Sequence, residues 1–316
     1  VQLDRTENGT FAARPAGWVV GEDFYVAVAA GAQVWVWHEK AAPDTASGWL
    51  DFGEPGSGLD SAERIVDLAL VPANNALFAL RGERLFWHAL AGEDQWRPAP
   101  LDPQLSIAAL SPVGMTEGAN TALALLRPAL CAIDDVGGAW LILLNPNSSV
   151  LACLAVPELT KLSSLIRPLA LFDERPDHKV RLRLVAASAD AASLLVFTSD
   201  PFDFSASAEL LASTAPIALE VGAQVIGRDL DIETVNGEIT IAAATTDAVR
   251  IATPFVPHPA LDMEALTIQA EDGTAGGAPV FIDGGHVVVP GTRSDALVGT
   301  LALPGRLRIN LTADNF

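Results

Sequence analysis

The side chains best suited to chemistry in this sequence are dispersed rather than grouped. Five histidines, His38, His88, His178, His258 and His286, stand alone, and no Gly-x-Ser-x-Gly turn presents a serine to any of them. Asp229-Leu230-Asp231-Ile232-Glu233 sets carboxylates at alternate positions, which a strand would project from one face toward a hard cation such as calcium. The run has neither the glycine nor the spaced oxygen ligands of a calcium loop, so a solvent-facing acidic edge is the expectation. Asp134-Asp135-Val136-Gly137-Gly138 reads as hairpin chemistry. The glycines from Gly273 to Gly277 and Gly284-Gly285 have no following Lys-Ser/Thr and read as turns rather than a phosphate cradle. Carboxylates are abundant, but no spacing selects a glycosidase pair. Cys131 and Cys153 lie in apolar runs, Ala-Leu-Cys-Ala-Ile and Leu-Ala-Cys-Leu-Ala, where inert reduced thiols are expected rather than disulfides or metal ligands. No catalytic residue, no metal ligand and no cofactor is expected, and the chain is expected not to be an enzyme.

Tryptophan is the remaining candidate, since it joins a flat apolar face to an N–H donor and can stack on a ligand. Trp37-His38 is followed by Trp49 after a polar loop, and Trp87-His88 by Trp96 after a shorter one. Trp49 and Trp96 are the candidate binding residues. The competing reading, which carries more weight, packs an aromatic at a fixed strand position between neighbouring sheets.

The elements that would position these residues are strands. Phe24 to Trp37 and Leu68 to Trp87 are β-rich apolar runs broken by Ala-Gly-Ala in the first, and by Pro72-Ala73-Asn74-Asn75 and Arg81-Gly82-Glu83 in the second. Both read as strand, turn, strand, with Leu77, Ala79, Leu85 and Trp87 expected on one inward face. Trp140 extends the tryptophan series, so that positions 49, 96 and 140 step by 47 and 44 residues, the length of a four-stranded propeller blade. A surface connection is expected at Asp173 to Lys179, then strands in VRLRLVAAS and ASLLVFTS, with a helical turn or two in SASAELLAS. Asn236-Gly237 is the strongest hairpin signal, and Asp283-Gly284-Gly285 leads into another strand. Asp247-Ala248-Val249 is echoed by Asp295-Ala296-Leu297. The fold class expected is all-β, a propeller-like repeat of four-stranded antiparallel sheets over residues 1–216, with 217–316 a second β region.

Charge narrows the partners. Across 316 residues, 39 acidic against 19 basic side chains leave a formal charge of −20, which disfavours specific nucleic-acid binding. The same charge suits a surface past which DNA slides without sticking, or simply a solvated acidic exterior. No apolar run is long enough for a membrane-spanning helix, so a soluble chain is expected. The first residues, Val1-Gln2-Leu3-Asp4-Arg5, lack the layout of a signal peptide.

Residues 264–307, EALTIQAEDGTAGGAPVFIDGGHVVVPGTRSDALVGTLALPGRL, combine Asp272-Gly273 and Asp283-Gly284 turns, the apolar strand Val287 to Val289, Val298-Gly299 and Pro304. This segment resembles a recurring unit of the tail nozzle, or tubular B, proteins of short-tailed bacteriophages, and NGEITIAAATTDAVRIATPFVP resembles the latter half of the same unit. The resemblance implies a propeller-like region beside a ring-forming platform that lines the DNA exit channel. It transfers no catalytic residue. The function it implies is a non-catalytic virion structural protein of a phage tail, whose partners are other phage tail proteins in a homo-oligomeric ring. The alternative is a β-propeller recognition module that binds a glycan or protein partner.

Overall fold

The computed structural model describes residues 15–20, 23–39, 48–60, 63–90, 95–102, 105–115, 128–174, 179–202, 215–226, 230–235, 238–245, 248–257, 259–267, 279–282, 286–290 and 297–302. Apart from one 3-10 turn at Pro72–Asn74, the regular elements among them are strands. No helix among the described residues is long and apolar enough to cross a membrane.

Strands follow one another as antiparallel meanders. The first comprises β1 (Ala16–Val20), β2 (Asp23–Ala30), β3 (Gln33–Glu39) and β4 (Gly48–Gly53). The second comprises β5 (Ile65–Val71), β6 (Ala76–Arg81), β7 (Arg84–Ala89) and β8 (Arg97–Pro98). The third comprises β9 (Ile107–Met115), β10 (Ala129–Asp134), β11 (Ala139–Leu144) and β12 (Val150–Val156). Then come β13 (Leu169–Glu174), β14 (Val180–Ala187), β15 (Ser193–Thr198) and β16 (Ile217–Glu220), followed by β17 (Asp231–Val235), β18 (Glu238–Ala244), β19 (Ala248–Ala252) and β20 (Glu264–Thr267). The last run is β21 (Val280–Ile282), β22 (His286–Pro290) and β23 (Leu297–Ala302). The second strands begin at Asp23, Ala76, Ala129, Val180, Glu238 and His286, a step of about 50 residues, at the long end for propeller blades. The chain divides after Val156 into two compact units, one holding β1 to β12 and the other β13 to β23.

In the first unit the expected single inward face of the second meander is corrected by its register. Leu77 pairs with His88 and Ala79 with Phe86, while Phe78 pairs with Trp87 and Leu80 with Leu85. Cross-strand partners share a face, so Leu77 and Ala79 lie on one side and Leu85 and Trp87 on the other. Both sides are covered, and all six residues of β6 are buried. Leu68, Leu70, Leu77 and Ala79 pack with Ala27, Ala29, Val34 and Val36 of the first meander. Ala69, Phe78, Leu80 and Leu85 pack with Leu110, Leu130 and Ile142 of the third. Alternation in β6 is therefore between two cores rather than between core and water, which is why its sequence shows no polar face.

One polar tether crosses this packing. A bulge between Ile65 and Asp67 breaks the β5–β6 register, leaving Val66 exposed and Asp67 buried. The Asp67 carboxylate accepts the Leu68 N–H at 3.0 Å and, from the neighbouring sheet, the Leu110 N–H at 2.9 Å. Burial of a carboxylate is tolerated where N–H donors replace its water.

Trp140 lies in β11, the third strand of its meander, whereas Trp49 lies in β4 and Trp96 immediately precedes β8. The steps of 47 and 44 residues thus compare non-equivalent positions, since the third-strand counterparts of Trp140 are Trp37 in β3 and Trp87 in β7.

In the second unit the same two-sheet packing recurs. Val185, Ala187, Leu194, Val196 and Leu219 bury against Ile241, Ala243 and Met263. Arg183 pairs with Asp173 at 2.7 Å and lies 5.0 Å from the centre of the Phe255 ring. Val235 pairs with Glu238 across β17 and β18, and the expected turn residues Asn236-Gly237 between them lie outside the described residues. So do the expected helical turn in SASAELLAS, Asp272-Gly273, Asp283-Gly284 and Pro304.

Phe78→Ala, in a side chain wholly buried between two sheets, is expected to cost about 3–5 kcal/mol of stability. Leu151→Ala, at a side chain 55% exposed, is expected to change it by less than about 0.5 kcal/mol. Urea denaturation of both variants checks the contrast.

Candidate functional site

In an antiparallel meander, alternate connections emerge at the same end of the sheet. The β4–β5, β6–β7 and β8–β9 connections therefore converge at one end of the second sheet, where they enclose a cleft of about 640 Å³. Gly56, Ser57, Gly58 and Leu59 form one wall, Glu83 and Arg84 a second, and Pro98 to Asp102 the third, over a floor that includes Leu85, Phe86 and Leu105. Leu85, Phe86, Ala99 and Leu105 are buried; Ser57, Glu83, Arg84, Pro98, Pro100 and Asp102 are exposed. The cleft thus has an apolar base and a polar rim.

Arg81 holds the first wall. It ends β6 with its side chain wholly buried, a placement that requires hydrogen-bond partners for the guanidinium. Nε donates to the Glu63 carbonyl at 3.0 Å, and the terminal nitrogens donate to the Pro55 carbonyl at 2.8 Å and the Asp60 carbonyl at 3.1 Å. Glu54 supplies a carboxylate at 3.5 Å. One planar fork therefore fixes the loop between β4 and β5 at several points. Gly56 completes it: its φ is +66°, and a Cβ there would sit 2.6 Å from the Phe86 ring. Both the backbone conformation and the close approach require glycine.

The third wall is tied to the sheet by the Ala99 N–H, which donates to the Leu85 carbonyl at 2.8 Å, and is turned by Leu105 N–H donating to the Asp102 carbonyl at 2.9 Å. Burial raises the Cys153 thiol pKa, and the nearby Asp102 carboxylate adds to that rise against a hydrogen bond from the same residue's backbone. Burial pushes the Cys131 thiol higher still. Both cysteines are free thiols.

The residues singled out from the sequence fall elsewhere. Trp49 is half-buried in β4, paired with Trp37 and edge-on to it at 5.5 Å, on the face of its sheet opposite Ala27 and Val36. Trp96 donates from Nε1 to the Phe52 carbonyl at 2.8 Å and meets His88 edge-on at 5.3 Å, packing against the core between the first two sheets. The register makes Arg97, not Trp96, the counterpart of Trp49: Arg97 pairs with Trp87 and lies 5.4 Å from its ring centre. Neither Trp49 nor Trp96 lines the cleft. His38 stacks on Tyr25 at 4.2 Å, and His88 on Phe52 at 4.3 Å.

Asp134 serves its own hairpin, as its motif implied. Its carboxylate accepts the Val136 N–H at 3.1 Å, the Gly138 N–H at 2.6 Å and the Trp140 indole N–H at 2.8 Å. In the acidic run, Asp231 and Glu233 alternate along β17 and Asp229 lies outside the described residues. Among the described residues no group of three or more His, Cys, Asp or Glu side chains could hold a metal ion. What sequence reasoning missed was Arg81, read there only as a turn residue, and the meeting of Gly56-Ser57-Gly58 with Pro98-Ala99-Pro100. Each carries a loop signal, but no pattern in the sequence says that they converge.

No protein-family model matches the chain, and no curated protein matches it. Solved structures do. The β-propeller domain of Cps50 (Swd1) from Myceliophteria thermophila is 10% identical over 93% of this chain and 83% of that one, with a TM-score of 0.54. The Dos1 propeller is 12% identical over 94% of this chain and 72% of that one, with a TM-score of 0.48. AofleA from Arthrobotrys oligospora is 11% identical over 80% and 71%, with a TM-score of 0.47. The likeness to the Cps50 domain, together with the successive meanders, shows a β-propeller-type fold.

Arg81→Met is expected to cost about 3 kcal/mol, because it removes the donors that satisfy the Pro55, Asp60 and Glu63 carbonyls. It should also speed amide exchange at Leu59 and Glu63, whose N–H groups close turns in the loop that Arg81 holds; unchanged exchange at both would remove the bracing role. A thiol reagent is expected to leave Cys131 unmodified until urea unfolds the chain. Both thiols have higher pKa values folded than unfolded, so their contribution to stability is complete below about pH 8.5 and shrinks as pH rises past it. Denaturation at pH 7 and pH 10 measures that loss.

Proposed function

We propose that this chain is a recognition module that binds a protein partner through the loops at one end of the β5–β8 sheet. The observation that carries the reading is the cleft. It is concave, apolar at its base and polar at its rim, and its volume falls in the range that seats a ligand group. Its walls are loops fixed to a rigid sheet, the arrangement in which binding residues are usually found. The dispersed histidines and the absence of a nucleophile motif in the sequence support a non-catalytic role. The glycan version has less support, because the indoles of Trp49 and Trp96 are engaged with Trp37 and His88 and lie away from the cleft.

A second reading keeps the virion tail role that residues 264–307 suggested. Its supporting observation is that Val287 to Val289 and Val298-Gly299 fall in β22 and β23. The formal charge of −20 also suits a surface beside passing DNA.

Peptide and glycan arrays probed with the labelled full chain test the first reading. Signal is expected on peptides, cut at least about tenfold by Ser57→Trp, which fills the cleft, and unaffected by Trp49→Ala. Glycan signal that survives Ser57→Trp but disappears with Trp49→Ala would overturn it. For the second reading, native mass measurement is expected to give a closed ring of identical copies; a monomer at all concentrations would sink it.

A further inference from the structure

Resting on the recognition-module reading, the geometry points to the class of ligand: an extended peptide segment that presents one apolar side chain, of leucine or phenylalanine size, beside a lysine or arginine. The apolar requirement comes from the floor. Leu85, Phe86 and Leu105 underlie the cleft and are 2%, 6% and 6% exposed, so a polar group reaching them would be stripped of water without a partner, whereas an apolar one gains by leaving it.

The cationic requirement comes from the walls, where part of the backbone donor set is already spent and Glu83 presents an acceptor. Pro98 and Pro100 carry no N–H, and the Ala99 N–H between them is already given to the Leu85 carbonyl. On the opposite wall the Leu59 N–H is given to Gly56. Glu83 offers an exposed carboxylate, which accepts only. A ligand group that answers Glu83 must bring a donor and positive charge. Arg84 is the one cation of the lining, and its guanidinium has no ion-pair partner among the described residues. It is placed to donate to a carbonyl of the peptide backbone, which an extended segment presents and a free amine does not. The chain's formal charge of −20 steers the same class of partner toward the surface in a salt-dependent way.

Fluorescein-labelled eight-residue peptides, each Gly/Ser with a central Lys-Leu-Lys, Glu-Leu-Glu or Lys-Ser-Lys, would be titrated with the full chain by fluorescence polarisation at low ionic strength. Lys-Leu-Lys is expected to bind at least about tenfold more tightly than either of the others. Ser57→Trp and Glu83→Lys, both at exposed positions, are each expected to weaken it about tenfold with the melting temperature unchanged. Equal binding of Lys-Leu-Lys and Lys-Ser-Lys would mean charge attraction without an apolar anchor and would overturn the inference. Glu-Leu-Glu binding as tightly, and still sensitive to Ser57→Trp, would overturn the cationic class while leaving the recognition module standing. Absence of Lys-Leu-Lys binding overturns the inference whichever way the arrays come out.

Discussion

A four-stranded sheet with two apolar faces is stable in water only where a neighbour covers each of them. The second sheet shows the constraint in full: every residue of β6 is buried, and its two faces belong to two different cores. Each neighbour has the same need, so successive meanders must stack. The same logic recurs in the second unit, where two further meanders share one core. Small residues make the stacking close, as in Ala27, Ala29, Ala69, Ala76 and Ala79, all essentially without exposure.

Stacking leaves polar groups to be settled at the seams. Asp67 joins two sheets through N–H groups, and Asp134 gathers a hairpin and an indole around one carboxylate. Arg81 uses the same principle with opposite sign, satisfying its buried guanidinium with backbone carbonyls of a loop. These are charge-assisted hydrogen bonds in buried or partly buried sites, where losing one partner costs more than the bond contributes net. They determine where the chain turns and which loops are held still.

The cleft follows from this division of work. Its floor is the end of a core that the sheets already need, and its walls are connections that the meander sends to one end. Arg81 makes one of those connections part of the scaffold, and Gly56 lets it approach Phe86. The rim residues Ser57, Glu83 and Arg84 are left to solvent, free to answer to a partner rather than to folding.

The sequence by itself determined the strand-rich class, the meanders and most of their turns, because these are local: Gly31, Gly82 and Gly137 take positive φ in the second-to-third strand hairpins of three successive sheets. It also showed the burial of Cys131, since apolar neighbours on both sides signal it. It found the four-stranded repeat but misaligned the tryptophans within it, because Trp49, Trp96 and Trp140 look periodic in the chain while only pairing register distinguishes their positions. A one-residue difference sends Trp96 to the core face and leaves Arg97 as the partner of Trp87. Only tertiary structure decided that β6 has no solvent face, that Arg81 reaches back to Pro55 and Asp60, and that Gly56 and Pro100 border one cleft. Those relations join residues some 20 to 45 positions apart through sheet stacking, and nothing in the local residue pattern encodes which loop a buried guanidinium will meet.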